Sequence, residues 1–169
     1  MAFGQQVEGF NAPVLNEREI RAAAGILFLA TFISWMYVAF EDNFLPIKCV
    51  ITIFLIDLLI RVFQPGFSPT LLMGRIFVSA QKPEYVKAAP KRFAWSIGVV
   101  LSGTMFFSLV VFDSINIVTS IVCFVCLGFL FFETAFGICL GCLIYPLFFK
   151  QNSSECSGGT CAMGSNPAP

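Results

Sequence analysis

The chain has 169 residues and no net charge: 57% of it is apolar, 12% is charged, and 21 residues are phenylalanine. An ordinary soluble domain carries about a quarter charged residues, so this composition excludes a water-covered globule and names lipid as the solvent. The absence of histidine excludes His-ligated haem, His-based zinc or copper sites, Ser-His-Asp and Cys-His catalysis and imidazole pH switching; sulfur and carboxylate remain for any metal or redox chemistry.

Residues 1–15 form a polar amino-terminal segment. Nothing basic precedes Arg18 and the first apolar run is long enough to span, so no secretory signal peptide is expected. Asn16 reads as a helix N-cap, with Glu19 three residues on completing a capping box. The first span, about residues 22–40, has 19 residues without a charge, with Trp35 and Tyr37 at one end where amphipathic rings favour an interface. The second, about residues 45–62, is weaker because it contains Lys48, Asp57 and Arg61. Pro46 suits a first helical turn, Lys48 can snorkel, and Asp57 lies four residues before Arg61 on the same face, where the two can pair. Cys49 reads as a core residue of this span.

The proline-punctuated, basic stretch from Gln64 to Arg92 contains a short apolar segment, Leu71 to Val78, capped by Ser68-Pro69; it reads as an interfacial helix. Pro90-Lys91-Arg92 lead into the third span, about residues 94–112, with Phe93 and Trp95 as interface anchors. The last apolar stretch, residues 117–149, has 33 residues. As one helix it would be about 50 Å long against a hydrocarbon core of about 30 Å. A split at Glu133 to Gly137 leaves 12 residues, too few for another crossing unless re-entrant. One long helix, tilted or bent at Gly128, Gly137, Gly141 or Pro146, is expected. Residues 151–169, rich in Ser and Gly, read as a flexible tail. The expected fold is therefore all-α: an integral membrane four-helix bundle over residues 16–150, with an interfacial helix between spans two and three. Arg18, Arg21, Arg75, Lys82, Lys87, Lys91 and Arg92 lie on one side, and Glu41, Asp42 and Asp113 on the other. That asymmetry puts both termini of a multi-pass protein in the cytoplasm.

The sharpest local feature is the Cys-x-x-Cys pair Cys139 and Cys142, one helical turn apart, close enough for a disulfide or joint ligation of a soft metal ion. The plainer reading is packing, since cysteine in lipid is a small apolar residue. The tail holds a second pair, Cys156 and Cys161, around a Gly-Gly turn with Met163 nearby; it reads as a shuttle dithiol, a persulfide carrier or a metal-capture loop, against a bland tail with incidental cysteines. Cys123 and Cys126 form a third pair, for which packing is favoured. Glu133 falls near mid-bilayer by count, where an ionisable group needs a partner or a proton to carry. Arg61 or Asp57 is the expected partner, with proton exchange during thiol chemistry as the functional role and a neutral, hydrogen-bonded brace as the bland one.

The stretch Ala89-Pro90-Lys91-Arg92-Phe93-Ala94, followed by a span and then Ala135-Phe136-Gly137-Ile138-Cys139-Leu140-Gly141-Cys142-Leu143-Ile144-Tyr145, resembles a bacterial membrane-protein family of unknown function. The likeness covers roughly residues 15–149. It implies a four-span protein of a bacterial plasma membrane with a Phe-Gly-x-Cys-x-Gly-Cys signature in its last helix. Where that family has an asparagine just before the Ala-Phe-Gly stretch, this chain has Glu133.

Three functions compete. The first is a membrane thiol relay in which Cys139 and Cys142 exchange electrons or sulfane sulfur with Cys156 and Cys161, and through them with a thioredoxin-like or sulfurtransferase protein. The second is transport or handover of a soft metal, Cu(I) or Hg(II), captured by Cys156, Cys161 and Met163 and passed to Cys139 and Cys142. The third is an accessory subunit of a larger membrane complex. An enzyme acting on a polar metabolite is the least expected, and no nucleic-acid motif is present; the basic loop suits anionic lipid.

Overall fold

A computed structural model of the chain describes residue 4 and residues 13–114 and 117–148. Within them the fold is helical: α1 (Glu17–Glu41), α2 (Leu45–Phe63), α3 (Pro69–Val78), α4 (Ala88–Phe106), α5 (Ile117–Phe136) and α6 (Leu140–Phe148). One turn of π-helix, Phe107–Val111, extends α4, and a 3-10 turn, Pro65–Phe67, joins α2 to α3. Three helices, Glu17–Glu41, Ala88–Val111 and Ile117–Phe136, are long and apolar enough to cross a membrane.

Local chemistry sets the boundaries. Asn16 caps α1, its side-chain oxygen accepting from the Arg18 N–H at 3.2 Å, while its amide donates to Glu19 Oε1 at 3.1 Å. The predicted box is thus closed between side chains. The Asn16 backbone is otherwise engaged: β1 (Val14–Asn16) pairs antiparallel with β2 (Tyr85–Lys87), a two-stranded ribbon that the all-helical expectation did not contain. Pro46 sits in the first turn of α2, and Ser68 caps α3 by accepting from the Leu71 N–H at 3.2 Å. At the far end Lys48 of α2 forms an ion pair with Asp113, which follows the π turn.

The core runs down one face of each long helix. Besides buried charged residues, α1 buries Ile20, Ala23, Ala24, Leu27, Thr31 and Ser34, and α2 buries Ile47, Ile51, Phe54 and Leu58, the spacing of a single helical face. Leu71 of α3, Trp95 and Met105 of α4, Leu109 of the π turn, and Cys123, Leu127 and Leu130 of α5 complete it. The outward faces are also apolar: Leu29, Ile33 and Phe40 of α1, Ile53, Ile56 and Phe63 of α2, and Ile117, Ile121 and Phe124 of α5 are exposed. Cys49 is exposed too, so it is not the core residue expected from the sequence.

The expectation of one long final helix fails. α5 stops at Phe136 and α6 starts at Leu140, because Gly137 takes a left-handed conformation at φ +66°. Its N–H donates to Glu133 O at 3.2 Å and that of Ile138 to Phe132 O at 3.3 Å, which satisfies the carbonyls at the end of α5. Gly137 is therefore a helix stop. With nine residues, α6 is too short to cross a bilayer.

Candidate functional site

The helix break at Gly137 creates the site. It lets α6 start afresh, with Cys139 at its cap: the Cys139 carbonyl accepts from the N–H groups of Cys142 at 2.9 Å and Leu143 at 3.1 Å. Cys139 and Cys142 consequently bracket the first turn of α6, and the two are joined by a disulfide with Cα atoms 5.1 Å apart. The first turn of a helix is where thiol-disulfide exchange proteins characteristically carry reactive cysteines, because its free N–H groups stabilise negative charge.

Close approach to α4 buries the pair. A Cβ on Gly141 would fall 2.5 Å from the Ala94 Cβ, so only glycine lets α6 lie this near, and the ring of Tyr145 packs edge-on against Phe93 at 5.6 Å. Cys139 is 5% and Cys142 2% exposed, both against Ala94. Beside them lies a cavity of about 70 Å³, lined among others by Cys139, Glu133, Cys126, Arg61 and Trp95. Cys139 borders this space directly. Cys126, Leu130 and Glu133 fall on one face of α5, which explains why a thiol and a carboxylate reach the same cavity.

Two buried charge pairs flank the site. Glu133 Oε1 accepts from Lys91 Nζ of α4 at 3.0 Å, and Lys91 is 2% exposed. The partner of Glu133 is therefore Lys91, rather than the expected Arg61 or Asp57. Those two do pair with each other, Arg61 Nε donating to Asp57 Oδ2 at 2.8 Å with both side chains buried. The pair also recruits the α3 cap. Ser68 Oγ donates to Asp57 Oδ1 at 2.7 Å, Thr70 Oγ1 donates to Asp57 Oδ2 at 2.6 Å, and Arg61 Nη2 donates to Thr70 Oγ1. The Arg61 guanidinium lies 5.8 Å from the centre of the Trp95 ring. Trp95 is thus a core residue beneath a buried cation, where the sequence suggested an interface anchor.

Of the residues singled out from sequence, Cys139, Cys142 and Glu133 are brought to one cavity, while Cys156, Cys161 and Met163 lie outside the described residues. Cys123 and Cys126 are buried free thiols. Among the described residues no group of three His, Cys, Asp or Glu side chains is placed to hold a metal ion, and the disulfide leaves neither sulfur as a thiolate. Sequence reasoning missed Lys91, Ser68 and Thr70. A signal for Lys91 was present: Lys91, Trp95, Ser102 and Met105 recur at helical spacing and all are buried, whereas the adjacent Arg92 is exposed.

A family model described as a domain of unknown function, DUF4395, matches residues 15–150. No curated protein and no solved structure matches the chain.

Proposed function

The chain belongs to the DUF4395 family, and on that footing we propose that it is a bacterial inner-membrane dithiol relay whose working centre is the Cys139–Cys142 disulfide. The observation that carries this reading is the placement of that disulfide, on the first turn of a helix and bordering a cavity. A purely structural cross-link contributes by restricting the unfolded chain, and the gain grows with the length of the closed loop. A bridge between residues three apart closes almost none.

In the relay an incoming thiolate attacks the Cys139 sulfur and the S–S bond breaks. Its electron pair passes to Cys142, which takes a proton. The second thiol of the donor then displaces Cys139, so two electrons enter the pair and the donor leaves as a disulfide. The tail pair Cys156 and Cys161 is the natural local donor, since tethering gives it a high effective concentration at the membrane pair. A thioredoxin-like or sulfurtransferase protein reloads it. Movement of sulfane sulfur would use the same two cysteines, but the observed disulfide favours electrons.

The membrane reading extends to α2. Its charged residues Asp57 and Arg61 are withdrawn into the protein, while Ile53, Ile56, Leu59 and Phe63 face outward, so the helix presents an apolar surface to lipid despite its composition. Four crossings would put both termini, the basic loop and the Cys139–Cys142 pair at the cytoplasmic end.

Mixed-disulfide trapping tests the function. In native membranes the Cys142→Ser variant should accumulate a covalent, reductant-sensitive adduct through Cys139, and Cys156→Ser/Cys161→Ser should diminish turnover of the pair. If Cys139 and Cys142 stay in one redox state under both oxidant and reductant in those membranes, the relay is wrong.

A further inference from the structure

The relay as described leaves a row of buried charges without a task. Burying an ion is costly, and within a membrane such groups mark ion or proton pathways. Glu17, the first residue of α1, is 5% exposed. Burial weighs most on its charge, and the cations of Lys91 and Arg21 act against that cost. Its own N–H donates to Glu84 O at 2.7 Å, and the Glu84 side chain is 50% exposed. Lys91 in turn donates to Glu133, and Glu133 borders the cavity that Cys139 also borders. The row ends beside a disulfide, and its other end, Glu17, meets the exposed Glu84 through the backbone, while the Glu84 carboxylate pairs with Arg18.

The size of the cavity decides what it serves. At about 70 Å³ it has room for roughly two water molecules at about 30 Å³ each, whereas a benzene-sized ring requires about 150 Å³. Water can bridge a carboxylate to a sulfur across it.

We propose that Glu17, Lys91 and Glu133 form a proton path that supplies Cys139 when the disulfide is reduced and accepts the proton when it re-forms. The inference rests on the dithiol-relay reading. When the donor's second thiol displaces Cys139, the electron pair of that bond stays on the Cys139 sulfur, and in a low-dielectric site the charge must be neutralised. Glu133 delivers a proton drawn from the Lys91 ammonium, and Lys91 recovers it from Glu17, next to the exposed end. The sulfur gains one proton, the path is reset from water, and no electron moves along it. Arg21 from α1 and Asp57 and Arg61 from α2 also face this region. The last two are tied to each other, to Ser68 and to Thr70, and act as fixed charges.

The test uses the full chain in lipid nanodiscs with dithiothreitol as the reductant, following the Cys139–Cys142 peptide by acid quench, alkylation and mass spectrometry. Glu133→Gln should slow reduction at neutral pH by about tenfold or more and flatten the pH profile, with partial recovery in Glu133→Asp. Glu17→Gln should shift the profile in the same direction by less. Cys49→Ala, an exposed thiol of α2 that does not line the cavity, should keep the parent profile. A folded Glu133→Gln protein with parent rate and parent pH profile overturns the path. Should Glu133→Gln not fold, an unchanged profile in Glu17→Gln with no solvent deuterium effect on the parent overturns it equally. A parent disulfide that dithiothreitol cannot reduce at any pH is a different result, and removes the relay itself.

Discussion

Asp57 accepts from three side chains and one backbone N–H, which is close to the full capacity of a carboxylate, and its counter-charge Arg61 is 2% exposed. Breaking such a pair from one side costs more than the pair contributes, because the surviving charge is stranded in low dielectric. Asp57→Asn should accordingly lower stability by about 3–5 kcal/mol, read as a fall in the thermal midpoint in detergent, while the double change Asp57→Asn/Arg61→Met recovers much of it. Equal midpoints for the single and double variants would refute a closed network. At this scale the sequence was informative about Asp57 and Arg61, whose spacing announces a pair, and silent about Ser68 and Thr70. Those lie across a turn, and nothing local indicates that their hydroxyls point back at α2.

For the elements, hydropathy marked where α1, α2, α4 and α5 lie, and Asn16 and Ser68 were recognisable as caps. The failure came at α5 and α6. The mostly apolar run of 33 residues, 117–149, read as one helix because glycine inside such a run is an ambiguous sign; Gly128 and Gly141 stay helical and only Gly137 turns. What distinguishes Gly137 is remote in sequence: a Cβ there would lie 3.1 Å from the Arg21 guanidinium carbon of α1. Cations at a helix C-terminus are favourable, so Arg21 both fills the space and suits the end of α5. Gly137→Ala should cost about 1–2 kcal/mol from the left-handed backbone alone, with Gly137→Asn milder. Thermal unfolding of the two variants should show that order; identical midpoints would mean that α5 can run on through position 137.

Among the described residues the outer helix faces are largely apolar, while Glu17, Asp57, Arg61 and Lys91 are buried within an apolar core. The chain's crossing number has a parity that can be read directly: four crossings place residue 16 and residue 150 on the same side, three place them on opposite sides. Reporter fusions at the two ends should both report the cytoplasm, and opposite readings would take α2 out of the bilayer. Composition pointed to lipid, with which three helices long and apolar enough to cross a membrane are compatible, but gave no sign of the short ribbon that joins the α1 and α4 ends, since three-residue strands have no periodicity to detect. That ribbon also imposes an order of events. Val14 to Asn16 pair with Tyr85 to Lys87, so roughly seventy residues must be added before the first strand meets its partner, about 4–14 s at about 5–20 residues per second. Through that interval α1 to α3 exist without the clasp, and Glu17 waits without Lys91. The charged interior therefore closes late in synthesis, when α4 arrives, rather than with the first helix to enter the membrane.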